Sequence, residues 1–121
     1  YYKVPSTTDY NGIYKGIYID FEAKETVNKT SFPISNIHPH QVKHIHDIER
    51  HKGISFLLVY FKTIDQIYLL ESKYVNEFYQ RSLDGRKSIT ISEFEKFGYL
   101  VKEGLSPRID YIKVIDIIKK A

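Results

Sequence analysis

The sequence predicts a mixed α/β fold, a central mixed β-sheet flanked by helices. Three observations carry that expectation. Residues 17–25 set Ile17, Ile19, Phe21 and Ala23 against Tyr18, Asp20, Glu22 and Lys24, the two-residue period of a strand with unlike faces. Residues 54–61 read ISFLLVYF, a branched and aromatic run of the kind a sheet buries on both faces. Around that run lie two amphipathic stretches, 40–51 and 73–83, the second carrying Val75, Phe78 and Tyr79 on one side.

Each element follows from its residues. Residues 8–14 can form a strand that enters a turn at Lys15-Gly16, where Gly16 supplies the permissive backbone of a hairpin with 17–25. Residues 26–36 are polar and contain Pro33, so they read as a loop. Ser35 or Asn36 is the expected cap of the first helix, 40–51, with Pro39 disturbing its start and Gly53 stopping it. After the central strand 54–61, the short turn 62–65 leads back into an antiparallel neighbour, 66–71. The second helix, 73–83, ends before the Asp84-Gly85 turn. Ser92, with Glu95 three residues on, is the expected cap of a short helix through Phe97. Pro107 opens a last helix over 108–120, striped by Ile109, Ile112, Ile115 and Ile118.

Length and composition bound the function. With 121 residues, 42% hydrophobic and 27% charged, the chain reads as one globular domain, 1–121, with a modest core rather than a disordered segment. It has no cysteine, which excludes disulfides and thiolate metal sites. No apolar run is long enough to span a bilayer and no signal-peptide pattern is present, so a cytoplasmic protein without membrane contact is expected. A net charge of +3 permits a polyanionic partner without requiring one.

The pattern richest in chemistry is Asp9 followed by Glu22-Ala23-Lys24. Alternation places Glu22 and Lys24 on one strand face, and a hairpin between Asp9 and Glu22 would bring the two carboxylates together there. Such a pair is costly without a cation, and hard oxygen ligands suit Mg²⁺, to which the carbonyl of Ala23 could add a ligand. The set fits metal-assisted phosphodiester hydrolysis, with Lys24 orienting water or stabilising developing negative charge. The bland alternative is three solvated strand residues that share a common spacing by chance.

The flanking residues narrow this. Ser6-Thr7-Thr8-Asp9-Tyr10-Asn11-Gly12, Tyr14-Lys15-Gly16 and Asp20-Phe21-Glu22-Ala23-Lys24-Glu25-Thr26 resemble the RecU family of Holliday junction resolvases. So do Lys29-Thr30-Ser31-Phe32-Pro33, His40-Gln41, Gly85-Arg86-Lys87-Ser88-Ile89 and Pro107-Arg108-Ile109-Asp110-Tyr111, in the same order along nearly the whole chain. The resemblance implies a restriction-endonuclease-like PD-(D/E)xK core, with Thr8 where the superfamily name would place proline. It implies a homodimer that makes paired nicks in four-way DNA junctions during homologous recombination and repair. Mg²⁺ is the expected cofactor, with Mn²⁺ as the alternative, and a recombinase is kept open as a further partner. Asp9, Glu22 and Lys24 match the family's catalytic acids and lysine. Family members carry a further N-terminal region with a stalk that enters the junction, and residues 1–4 resemble the end of that stalk.

Other residues complete the expected site. Gln41, at the start of the first helix, is a second-tier catalytic candidate; otherwise it is an ordinary exposed helix residue. Thr8, Lys15, Lys29, Thr30, Ser31, Arg86, Lys87 and Arg108 are the expected DNA contacts, against the plain reading of solvated surface groups. His40 and His44, four apart, could pair on a metal, but no cysteine or well-placed carboxylate completes a zinc site and a surface role is favoured. The Tyr and Phe excess, Tyr60, Phe61, Tyr68 and Phe78 included, reads as core. Three rivals stay open. One is a restriction-type nuclease that cuts duplex; another is a non-catalytic DNA-binding or recombinase-modulating protein of the same fold; the third is a His-based zinc protein, which predicts bound zinc on purification and indifference to Glu22 substitution.

Overall fold

The computed structural model describes residues 10–103. Its elements are β1 (Tyr10–Tyr14), β2 (Ile17–Thr26), β3 (Ser31–Pro33), a 3₁₀ turn (Ile34–Asn36), α1 (Pro39–Arg50), β4 (Ile54–Phe61), β5 (Gln66–Glu71), α2 (Ser72–Ser82), β6 (Ser88–Thr90), α3 (Ile91–Phe97) and β7 (Tyr99–Glu103). Five strands form one mixed sheet in the order β1-β2-β4-β5-β7, and β3 pairs with β6 in a separate two-stranded ribbon. The expected mixed sheet with helices against it is what the chain adopts. The expected last helix, 108–120, lies outside the described residues.

The hairpin β1–β2 forms as its residues direct. Lys15 and Gly16 both have positive φ, 50° and 80°, as a two-residue turn that continues the twist of the strands requires. β2 then runs parallel to β4, from Ile19 opposite Ile54 to Thr26 opposite Phe61, and α1 forms the crossover between them. β4 pairs antiparallel with β5 across the short turn 62–65. Tyr60 Oη donates to Asp65 Oδ1 there at 2.6 Å, which fixes the left-handed Asp65, φ 53°.

The sheet has two unlike faces. Leu57, Val59, Phe61, Tyr68 and Leu70 face the helices and pack with Val42, Val75, Phe78 and Phe94. On the other face Ile19, Phe21, Phe56, Leu58 and Leu69 form a second cluster, with the Phe21 and Phe56 rings stacked at 4.8 Å. β4 contributes to both, so its near-continuous apolar sequence follows from burial on two sides. Each fully buried Leu, Ile or Phe contributes about 1.5–3 kcal/mol by leaving water.

Several local expectations are corrected. The expected loop 26–36 contains β3 and the 3₁₀ turn, because Phe32 is fully buried and pairs with Ile89 of the equally unexpected β6. Neither Ser35 nor Asn36 caps α1. Its N-cap is His38, whose backbone N–H donates to Gln41 Oε1 at 3.0 Å, and Pro39 sits in the first turn, where its missing N–H costs nothing. Gly53 does not take the left-handed position after α1; Lys52 does, at φ 67°. Lys52 N–H donates to the Glu49 carbonyl and Gly53 N–H to the Ile48 carbonyl, both at 3.0 Å, a Schellman ending. Gly53 is needed for space: a Cβ there would meet Ile48 Cγ2 at 2.7 Å and the Tyr18 carbonyl oxygen at 3.2 Å. The cap of α3 is Thr90, not Ser92. Thr90 Oγ1 accepts from Glu93 N–H at 3.2 Å while Glu93 Oε1 accepts from Thr90 N–H at 2.9 Å. β7 was not expected, since its Leu100 and Lys102 carry little alternation.

Candidate active site

The site is built on one face of β2. Tyr18, Asp20, Glu22 and Lys24 alternate toward α1, while Ile19, Phe21 and Ala23 turn to the opposite core cluster. Glu22 is therefore no solvated strand residue: it is 1% exposed. Lys24 Nζ lies 3.3 Å from Glu22 Oε2, its side chain 21% exposed. A buried carboxylate is tolerated when a cation lies beside it, and here the cation also reaches solvent.

One rung back along β2, Asp20 is completely buried. Its Oδ2 accepts from Tyr18 Oη at 2.8 Å and lies 3.0 Å from His44 Nε2 on α1. Asp20 and His44 were not among the expected site residues. Their signal was present: Asp20 shares the alternation of Glu22 and Lys24, and His44 lies one helical turn after Gln41. His44 thus meets a carboxylate rather than pairing with His40, whose ring stacks on His38 at 5.5 Å between centroids. Among the described residues no cluster of three or more His, Asp or Glu side chains is arranged to hold a metal.

Gln41 is not an exposed helix residue. It is buried, and its side-chain oxygen closes the first turn of α1. Ala23 is half-buried, opposite Leu58 of β4 in the register. Asp9, Thr8 and Arg108 lie outside the described residues.

The expected DNA contacts separate into groups. Lys15 is exposed at the hairpin tip, at the opposite end of β2 from Lys24 and roughly 23 Å of strand away. Lys29 and Thr30 are exposed just beyond the Lys24 end of β2, and Ser31 begins β3 half-buried. Arg86 and Lys87 are exposed just before β6. The antiparallel β3–β6 pairing, Ser31 with Thr90 and Pro33 with Ser88, therefore joins the two basic blocks in one ribbon but leaves them at its opposite ends. Lys87 Nζ donates to the Ser82 carbonyl at 3.2 Å, so this lysine braces the end of α2.

A second ion pair holds that ribbon. Arg81 Nη1 and Nη2 donate to Glu93 at 2.6 and 3.2 Å, and Nη2 also donates to the Ser88 carbonyl at 2.8 Å. Hydrogen bonding from Arg81, joined by Thr90, lowers the Glu93 carboxyl to a pKa of about 2 despite partial burial. Near Glu49 of α1, the Glu71 carboxyl is raised, chiefly by burial, with Lys73 opposing the shift and Glu49 adding to it.

Comparison with known proteins identifies the family. The sequence matches the family described as recombination protein U, RecU, over residues 1–117. It is 54% identical over 119 residues to the protein of Bacillus cereus called Holliday junction resolvase RecU, covering 98% of this chain and 60% of that one. Proteins of the same name from Bacillus mycoides and Bacillus anthracis are 54% and 53% identical over the same coverage. The chain thus spans about 60% of the length of the curated relatives it matches. Among the described residues no helix is long and apolar enough to cross a membrane. A match over nearly every residue, with the ordered sheet and buried Glu22–Lys24 pair beneath it, places this chain in the RecU family.

Proposed function

We propose that this chain is the nuclease domain of a Holliday junction resolving endonuclease, cutting phosphodiester bonds with Asp9, Glu22 and Lys24. The observation that carries the reading is the buried Glu22 paired with solvent-reaching Lys24 on one face of β2. The β1–β2 register supports adding Asp9. Asp9 directly precedes β1 in the sequence, and the first residue of β1, Tyr10, pairs with Phe21, the neighbour of Glu22.

The donor chemistry fits a divalent cation, Mg²⁺ with Mn²⁺ as the alternative: Asp9, Glu22 and the Ala23 carbonyl offer hard oxygens. When bound, it would neutralise phosphate charge and make water a better nucleophile. Lys24 holds its ammonium where negative charge would develop on the phosphate, at the mouth of a site whose floor is the buried Glu22. Gln41 adds a carboxamide from α1. Lys29, Thr30 and Ser31 contact the backbone near the scissile phosphate, while Lys15, Arg86, Lys87 and Arg108 meet phosphates farther along, with Thr8 beside Asp9. A homodimer with two such sites suits the near two-fold symmetry of a four-way junction. The work belongs to homologous recombination and repair in the cytoplasm, where a recombinase would be a natural partner.

The test is nicking of a labelled four-way junction beside matched duplex, with and without Mg²⁺. It is run with this chain alone and with the chain joined to the remaining part of a Bacillus relative. Symmetrical Mg²⁺-dependent nicks confined to the junction are expected from the joined protein. Equal cutting of duplex would make it a general nuclease, and tight binding without cutting would make it a binding protein. Replacing Lys29 or Arg86 by Ala should weaken binding to all sequences alike and flatten the salt dependence by about one unit of slope each.

A further inference from the structure

The polar rung that precedes Glu22 has no part in the chemistry proposed above, yet it is built with care. Asp20 on β2 and Ser55 on β4 are register partners, and both are buried. Each reaches up to α1 at consecutive residues: Asp20 Oδ2 meets His44 Nε2 at 3.0 Å, and Ser55 Oγ donates to the Ile45 carbonyl at 2.5 Å. Two apolar residues would fill this rung at lower desolvation cost, so burying a carboxylate and a hydroxyl here is a choice of position over packing.

The direction of α1 says what is positioned. Its C-terminal end lies over the start of β2, where Gly53 is packed against the Tyr18 carbonyl. His44 lies over Asp20. Moving toward the N-terminus of α1 therefore moves toward Glu22 and Lys24. Gln41, one turn before His44, advances about 4.5 Å along the helix, against about 6.6 Å from Asp20 to Glu22 along the strand. Tyr18 Oη, donating to the same Asp20 oxygen at 2.8 Å, fixes the carboxylate from the other side.

We propose that Asp20 and His44 are positioning residues, a carboxylate–imidazole tie that sets the register of α1 over β2 and so places Gln41 at Glu22. The proposal rests on the reading of Glu22 as part of a divalent-cation site. The tie makes α1 a rigid wall of that site: a slip of the helix would carry Gln41 off the Glu22 rung while leaving the apolar contacts of Val42 and Ile45 satisfied. Dispersion contacts tolerate such slips; a hydrogen bond to a buried carboxylate does not.

The experiment titrates Mn²⁺ into this chain without DNA, read by electron paramagnetic resonance, alongside thermal unfolding. His44→Ala is expected to lose about 10-fold in Mn²⁺ affinity, the low end for a group outside the ligand set, because it acts on the Glu22 rung only through the placement of Gln41. His44→Gln, whose amide N–H can reach the place of Nε2, should recover most of it. His44→Phe keeps the ring volume without a donor and should behave as His44→Ala, so a folding defect in the alanine variant does not decide the matter. Mn²⁺ affinity unchanged in His44→Ala and His44→Phe, whatever their melting temperatures, overturns the proposal. Equal loss in His44→Gln also overturns it, since the hydrogen bond would not be what matters. Absence of Mn²⁺ binding by the unsubstituted chain is a separate outcome: it refutes the cation site itself, and this inference with it.

Discussion

Two ion pairs of this molecule invite comparison, Glu22–Lys24 on β2 and Arg81–Glu93 between α2 and α3. Glu93 accepts from both terminal nitrogens of Arg81 and from the Thr90 backbone and hydroxyl, and its carboxyl is held at a pKa of about 2. Glu22 is more deeply buried, and Lys24 meets it at 3.3 Å with a flexible ammonium whose side chain keeps 21% of its surface exposed. The Arg81–Glu93 pair is over-determined: a planar fork meets a carboxylate already committed to a helix cap. The Glu22–Lys24 pair keeps a charge in the interior next to a group that can turn outward. A guanidinium bound at several points fastens the β3–β6 ribbon, and a flexible ammonium suits the place proposed to receive phosphate and cation. Exposure alone does not separate the two roles, because the carboxylate proposed for chemistry is the more buried one.

The contrast can be broken by substitution. Glu22→Gln removes the charge but keeps the shape; junction nicking should fall by more than about 10³-fold, beyond the loss of one charge-stabilising donor, with the melting temperature unchanged or raised. A large drop in melting temperature would instead make Glu22 structural, like Glu93. Lys24→Ala should cost about 10²–10³-fold in the rate of the chemical step, measured in single turnover, and less in cation affinity; the reverse pattern would undo its role. Glu93→Gln should do the opposite, losing about 1–3 kcal/mol of stability in urea while nicking at low temperature persists.

Acid sharpens the same comparison. Glu93 has a folded pKa below its ordinary value of 4.5, so the unfolded chain binds its proton first as pH falls. Its stabilisation is complete above pH 4.5 and drains away between about 4.5 and 2. Denaturant melts across that window should show a loss in the parent that is shallower in Glu93→Gln; parallel curves would mean the pair is not the cause. The smallest effect is expected far from both pairs. Lys52→Gly relieves a left-handed residue at the end of α1 and should raise stability by up to about 1 kcal/mol, seen as a shift in urea midpoint.

What could be read from sequence followed the strength of local pattern. β4 and β5 were legible to the residue, because ISFLLVYF and its short return turn admit one arrangement. The Glu22–Lys24 face was legible from alternation, though its burial was not: nothing in a strand's sequence says that α1 will lie across it. β3 and β6 were missed because three-residue strands carry no period, and their pairing depends on Phe32 and Ile89 meeting across more than fifty residues of chain. Ser92 was expected as the cap of α3 because Glu95 follows three residues on, but Thr90 stands in the same relation to Glu93, and the helix that starts there buries Phe94. Lys52 and Gly53 exchange roles for a similar reason. The turn needs one left-handed residue and one without a side chain, and glycine is spent on the tighter constraint. Asp20 and His44 lie 24 residues apart, and their meeting follows from the crossover of α1, not from spacing.

That crossover also governs how the molecule comes together in time. Ile19 pairs with Ile54 across the whole of β3 and α1, a parallel contact that no short loop can nucleate. The β1–β2 hairpin, closed by Lys15-Gly16, can form on its own within microseconds, but its Glu22–Lys24 face acquires its neighbours only when β4 docks. Folding rate and the assembly of the site therefore share one slow step, and substitutions along β4 should delay both together.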